Sequence, residues 1–116
     1  MPTVTLYHNP RCSKSRSALA ILQERGVSPE VVLYLETPLD AAEIRSLLDK
    51  LEKTAAEIVR RGEDEYRAAG LDAQADEASI IAAIVRYPRL LERPIAVCGE
   101  RAVIGRPPEN VLDLLT

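Results

Sequence analysis

Cys12 is the residue of this chain whose type and setting most clearly suit chemistry. It lies in the run His8-Asn9-Pro10-Arg11-Cys12-Ser13-Lys14-Ser15-Arg16, where Pro10 breaks one element and a helical pattern starts directly after the cysteine. A thiol attacks as its anion, and only a small fraction of an unperturbed cysteine is ionised at neutral pH. A helix N-terminus offers N–H groups without intrahelical acceptors and roughly half a positive charge. Both favour a thiolate there, and Arg11, Lys14, Arg16 and His8 can add positive charge. The same amides would cradle an incoming oxyanion, so nucleophile and anion site coincide. The bland alternative is an inert, buried thiol. That suits Cys98, which ends an apolar strand, better than Cys12, whose neighbours are Arg11, Ser13 and Lys14.

Related motifs are excluded by single positions. A phosphatase-type loop needs an arginine at residue 18 to wrap the phosphate, and this chain has Ala18, with Arg16 two residues early. A dithiol redox motif needs its second cysteine at residue 15, which is Ser15. Cys98 reads as core, so any covalent intermediate on Cys12 calls for an external thiol. His8 is the sole histidine and the two cysteines lie far apart in sequence, which argues against a zinc site; no bound metal or cofactor is expected.

The elements that must position this loop follow from periodicity. Residues 3–7 read as a strand with Val4 and Leu6 on one face, and residues 13–25 as a helix with the stripe Ala18, Leu19, Ile21 and Leu22, closed by Gly26. Residues 31–34 form a second, continuously apolar strand, expected to be buried on both faces. The middle, about residues 39–88, is helical. Asp40 with Glu43 and Thr54 with Glu57 form capping boxes, residues 63–69 a polar helix closed by Gly70, and Asp76 caps a helix stopped by Pro88. Residues 95–98 and 101–104 read as a hairpin about Gly99-Glu100, and Pro107-Pro108 open a last helix. A βαβ unit and a ββα unit sharing one sheet make an α/β fold of the thioredoxin type with a helical insertion. With 116 residues, one domain is expected. A net charge of −3 argues against nucleic-acid or membrane binding. No signal-like or membrane-spanning run is evident, so the cytoplasm, with both thiols reduced, is the expected setting.

Taken together, the cysteine loop, Leu33-Tyr34-Leu35-Glu36-Thr37-Pro38, Glu92-Arg93-Pro94-Ile95 and Ile104-Gly105-Arg106-Pro107-Pro108 resemble the glutaredoxin-coupled, ArsC-type arsenate reductases of bacteria over essentially the whole chain. The resemblance implies a thioredoxin-like fold and reduction of arsenate to arsenite. Cys12 would form a covalent thiol–arsenate adduct, glutathione would add as co-substrate, and glutaredoxin would reduce the mixed species. It also implies that Arg60, Arg93 and Arg106 surround the cysteine, that His8 favours its thiolate, and that Ser15 belongs to the same catalytic loop. Pro94 opens the third strand where thioredoxin-like folds carry a cis-proline, so Arg93–Pro94 is expected to be cis.

The arginines make chemical sense. Arsenate carries roughly one to two negative charges at neutral pH, and forked guanidinium donors would offset its repulsion of a thiolate and the charge that develops in the transition state. Each also has a plain surface reading: Arg60 as half of a solvated Arg60-Arg61 pair on a helix, Arg93 and Arg106 as strand-edge residues. Two other functions stay open. One is a thiol enzyme of this fold acting on glutathione adducts or another oxyanion. The other is a non-enzymatic regulator that binds RNA polymerase, although Ser15 removes the dithiol switch some such regulators carry.

Overall fold

The computed structural model describes residues 3–115, which divide into two compact units: residues 3–37 with 93–115, and residues 38–92. The first unit is built on a four-stranded sheet. Its strands are β1 (Val4–Tyr7), β2 (Glu30–Val32), β3 (Ile95–Cys98) and β4 (Arg101–Ile104), in the order β2-β1-β3-β4. β2 runs parallel to β1 after the crossover helix α1 (Ser13–Glu24), whereas β3 is antiparallel to both β1 and β4. This is the expected thioredoxin-type arrangement.

Alternation decides what β1 buries. Val4 and Leu6 face the core while Thr5 and Tyr7 are half-buried. Ala18 and Leu22 of α1 meet them, with Ala96, Val111 and Leu114, and Leu19 and Ile21 pack at the margin. Gly26, at φ +77°, takes the left-handed conformation that lets the chain leave α1, and its amide donates to the Gln23 carbonyl at 3.0 Å.

The sequence reading needs two corrections in this unit. β2 is a short edge strand at residues 30–32, with Glu30 exposed and Val31 40% exposed, so it is not buried on both faces. An apolar run by itself cannot distinguish a central strand from an edge. Here the chain turns away at Leu33, whose carbonyl accepts the amides of Glu36 and Thr37, each at 2.9 Å. The last helix, in turn, is a 3₁₀ segment, Pro108–Leu115, and not an α-helix. Its buried residues, Pro108, Val111 and Leu114, fall three apart, which is the period at which 3₁₀ side chains eclipse.

The second unit is helical: α2 (Ala41–Leu51), α3 (Ala55–Ile58), α4 (Asp64–Ala68), α5 (Glu77–Arg86) and the 3₁₀ turn Pro88–Leu90. The capping signals act as read. Asp40 Oδ1 accepts the Glu43 amide at 2.8 Å while Glu43 returns to the Asp40 amide at 3.1 Å, and Asp76 accepts the Ser79 amide at 2.8 Å. Glu57 accepts both the amide and the hydroxyl of Thr54, but α3 lasts a single turn. α5 packs on α2 and α3, burying Ile80, Ile81, Ala83 and Ile84, and the Ala55 amide donates to Glu77 at 2.7 Å. No helix among the described residues is long and apolar enough to cross a membrane.

Where β4 leaves the sheet, the Gly105 amide donates to the Pro94 carbonyl at 2.8 Å. A Cβ at Gly105 would lie 2.8 Å from Pro94 Cγ and 3.3 Å from Val111 Cγ1, both in a packed interior. Gly105→Ala is therefore expected to cost about 1–3 kcal/mol through overpacking. Urea unfolding checks this; an unchanged midpoint would mean the ring has room to move.

Candidate active site

The loop between β1 and α1 is fixed by its own polar groups. Cys12 is the N-cap of α1, with extended backbone (φ −96°, ψ 122°), and its amide donates to the Asn9 carbonyl at 3.0 Å. Asn9 Oδ1 accepts the Arg11 amide at 3.0 Å, an Asx turn that brings the chain round to the cysteine. Arg16 Nη1 reaches back to the Pro10 carbonyl at 2.9 Å. Beneath the turn lies the fully buried Ser15, whose Oγ accepts the Asn9 amide at 3.0 Å and sits 2.6 Å from His8 Nδ1. The Cys12 side chain makes no capping bond and the first turn holds no acidic residue. The leading amides of α1 thus have no intrahelical acceptor, and the positive end of the helix is not neutralised from within that turn. Chemically this is a place for an anion, with a thiol at its edge.

His8 differs from the sequence reading. It is buried, and its pKa lies below the usual histidine value, chiefly because burial penalises the imidazolium and secondarily because Arg16 repels it. His8 is therefore neutral at neutral pH and cannot supply the positive charge anticipated for it. Ser15 Oγ accepts the Asn9 amide and is hydrogen-bonded to His8 Nδ1, so one hydroxyl satisfies both groups. His8 and Ser15 hold the loop in shape.

The cysteines also reverse their expected burial. Cys12 is 9% exposed, whereas Cys98, read as core, is more exposed; neither is in a disulfide. Register keeps them apart. Tyr7, where the loop departs, pairs with Ile95, while Cys98 pairs with Val4 three residues down the strand. At about 3.3 Å per residue that separation is roughly 10 Å along the sheet.

The same register brings two arginines to the loop's end of the sheet. Arg93 lies two residues before β3, across Pro94, and its Nε and Nη1 are buried. Arg106 follows β4 after Gly105, and its Nη1 donates to the Arg93 carbonyl at 3.1 Å. The Arg93–Pro94 bond is cis, as expected, and Arg106–Pro107 is cis as well, which was not.

Arg60 belongs to the helical unit and is not on a helix. α3 ends at Ile58, Val59 bridges to Leu91, and the Arg60 amide donates to the Leu90 carbonyl at 2.8 Å. Its guanidinium pairs closely with Glu63 and has Glu92 at 3.9 Å, so it is not half of a solvated arginine pair. Glu63 was missed in the sequence, although its position three residues after Arg60 is a signal for an ion pair.

The His8 environment sets a sign for pH. Its folded-state pKa is depressed below 6.5, so the unfolded chain binds the proton more readily. The resulting stability is present above that value and is lost as pH falls through the folded pKa. Between about pH 7.5 and pH 5.5 the wild type is expected to lose more stability than His8→Asn. Urea midpoints at the two pH values check this, and parallel losses would contradict a desolvated imidazole.

Comparison with known proteins gives a consistent picture. A model described as the ArsC family matches residues 7–114. The chain is 54% identical over 114 residues to "Uncharacterized protein YfgD" of Escherichia coli K12, covering 97% of this chain and 96% of that one. It is 45% identical over 113 residues to an arsenate reductase of Neisseria meningitidis serogroup A, covering 96% and 97%. The solved structure of an arsenate reductase from Vibrio cholerae matches with a TM-score of 0.93 at 41% identity, covering 97% of this chain and 98% of that one. With the family match spanning sheet, cysteine loop and helical unit alike, the chain belongs to the ArsC family.

Proposed function

We propose that this protein reduces arsenate to arsenite in the cytoplasm, with the Cys12 thiolate as nucleophile and glutathione and glutaredoxin as reductants. The observation that carries the reading is Cys12 as N-cap of a helix whose first turn contains no acidic residue, in a loop already ordered by its own hydrogen bonds. Relatives that carry the name arsenate reductase supply the substrate.

In the proposed sequence Cys12 Sγ attacks arsenic(V), forming an S–As bond while one arsenate oxygen takes up protons and leaves as water. The amides of α1 stabilise the charge on the remaining oxygens. Arg93 and Arg106 serve the same oxyanion, and the resemblance gives Arg60 that task too. Reduction of arsenic from V to III takes two electrons. These come from two thiol sulfurs: glutathione adds to the adduct, the sulfurs end as a mixed disulfide, and arsenite departs. Glutaredoxin then removes the glutathione and restores the Cys12 thiol. Ser15 stands where an internal resolving cysteine would stand and Cys98 lies at the other end of β3, so the second thiol has to come from outside.

NADPH oxidation in a coupled glutathione–glutaredoxin assay should depend on added arsenate, and Cys12→Ala should reduce it to background; turnover that survives this change would end the proposal. Arg106→Ala is expected to lower kcat/KM for arsenate by about 10²-fold, the scale of a lost oxyanion donor. Arg106→Lys should recover only part of this, because an ammonium lacks the planar fork. Full recovery by lysine would reduce Arg106 to a general positive charge.

A further inference from the structure

Arg60 is held by a carboxylate that offers it the same kind of contact an oxyanion would. Glu63 Oε1 pairs closely with Arg60 Nη1, while Glu63 Oε2 accepts from Arg89 Nη2 at 3.0 Å. Arg89 Nη1 has Glu65 Oε2 at 3.4 Å, and Glu92 Oε1 lies 3.9 Å from Arg60 Nε. The Arg60 and Glu63 side chains are 25% and 16% exposed, so solvent screens this pair only partly. These five groups comprise two cations and three anions, a net charge of −1. As it stands Arg60 is already paired within the cluster. Arg60 becomes an anion ligand only if Glu63 gives it up, and Glu63 can do so because its other oxygen already has a guanidinium to stay with.

We propose that Glu63 is a positioning residue that holds Arg60 in reserve and competes with the oxyanion for it, and that Arg89 is the anchor which keeps Glu63 in place once Arg60 is released. This rests on the reading of Arg60 as an oxyanion ligand and goes beyond it, because it assigns the affinity of that ligand to two residues that touch no substrate. The exchange is one of ion pairs alone: the Arg60–Glu63 contact opens, Arg60 meets an arsenate oxygen, and Glu63 keeps its contact with Arg89. No bond to a heavy atom is made or broken and no proton moves. The opposing charges also give discrimination. A weakly charged or poorly shaped ligand does not displace a carboxylate from a guanidinium, whereas a tetrahedral oxyanion with several charged oxygens can.

The two neighbours should act in opposite directions, which a merely structural role would not produce. Glu63→Gln removes the competing charge and should lower KM for arsenate by about threefold or more, the scale of a partly exposed ion pair, with kcat little changed. Arg89→Ala leaves Glu63 with Arg60 as its main partner and should raise KM by a similar factor. The double variant should behave like Glu63→Gln.

A second measurement does not depend on turnover. The Arg60 Nε–H NMR resonance of the full-length protein is followed while inorganic arsenate is added, and its midpoint should fall in Glu63→Gln and rise in Arg89→Ala. If the wild type reduces arsenate but both variants shift KM and midpoint in the same direction, or not at all, the proposal is wrong and the arsenate reading stands. If arsenate leaves the Arg60 resonance unmoved, the proposal is wrong whatever turnover shows. If the midpoints shift in opposite directions while no arsenate is reduced, the exchange stands and the arsenate reductase reading fails.

Discussion

Ser15 Oγ ties the Cys12 loop to the helix behind it, and much of the candidate site depends on that contact. The hydroxyl is buried and serves two groups that would otherwise face the interior, the Asn9 amide and His8 Nδ1. Leaving a buried polar group of this kind without a partner costs about 1–3 kcal/mol. Asn9 is in turn the residue whose carbonyl receives the Cys12 amide and whose side chain receives the Arg11 amide. One hydroxyl therefore holds the turn that sets the backbone of Cys12, and with it the direction in which the helix begins.

In the proposed reaction, the same contact explains why Cys12 has no second thiol in its loop. In a dithiol loop residue 15 would be the second cysteine, exposed enough to attack an intermediate. Here that position lies under the loop, fully buried and engaged on two sides. A thiol is a weak donor and acceptor and would satisfy neither neighbour well. A rigid loop and an internal resolving thiol thus compete for one position, and this chain uses it for rigidity. The charge balance follows suit: because burial works against a charged His8, the partial positive charge beside Cys12 is that of the leading amides of α1.

What could be read from the sequence, and what could not, divides along physical lines. Caps and strand alternation depend on neighbours close in the chain, so the Asp40–Glu43 box, the Asp76 cap and the Val4/Leu6 face were all legible. Edge position was not, because the exposure of β2 depends on which strands lie beyond it. The 3₁₀ form of residues 108–115 was hidden because Val111, Leu112, Leu114 and Leu115 also satisfy a helical stripe; the informative trio included Pro108. Cys12, His8 and Ser15 could be singled out from the loop, but the partner of Ser15 is a residue seven positions away whose neutrality only burial could settle. Arg60 could be named, while its place beyond the end of α3 depends on the Val59–Leu91 bridge, whose second residue is far away in sequence.

The antiparallel register of β1 and β3 then decides what can reach what. Because Tyr7 pairs with Ile95, the residues just before β3 emerge beside the start of the cysteine loop, and because Ile95 also pairs with Ile104, those just after β4 emerge there too. Arg93 and Arg106 owe their shared place to this register and not to any nearness in sequence. The register also sends Cys98 to the far end, opposite Val4. Shifting β3 by one residue would turn the Ile95 and Val97 side chains to the opposite face and carry Arg93 away from the loop at the same time. Packing therefore enforces the alignment that the proposed chemistry needs: Leu6 and Ala96, a directly paired couple in the core, hold β1 and β3 in the one register that brings Arg93 and Arg106 to the end of the sheet where the Cys12 loop departs and keeps Cys98 away from it.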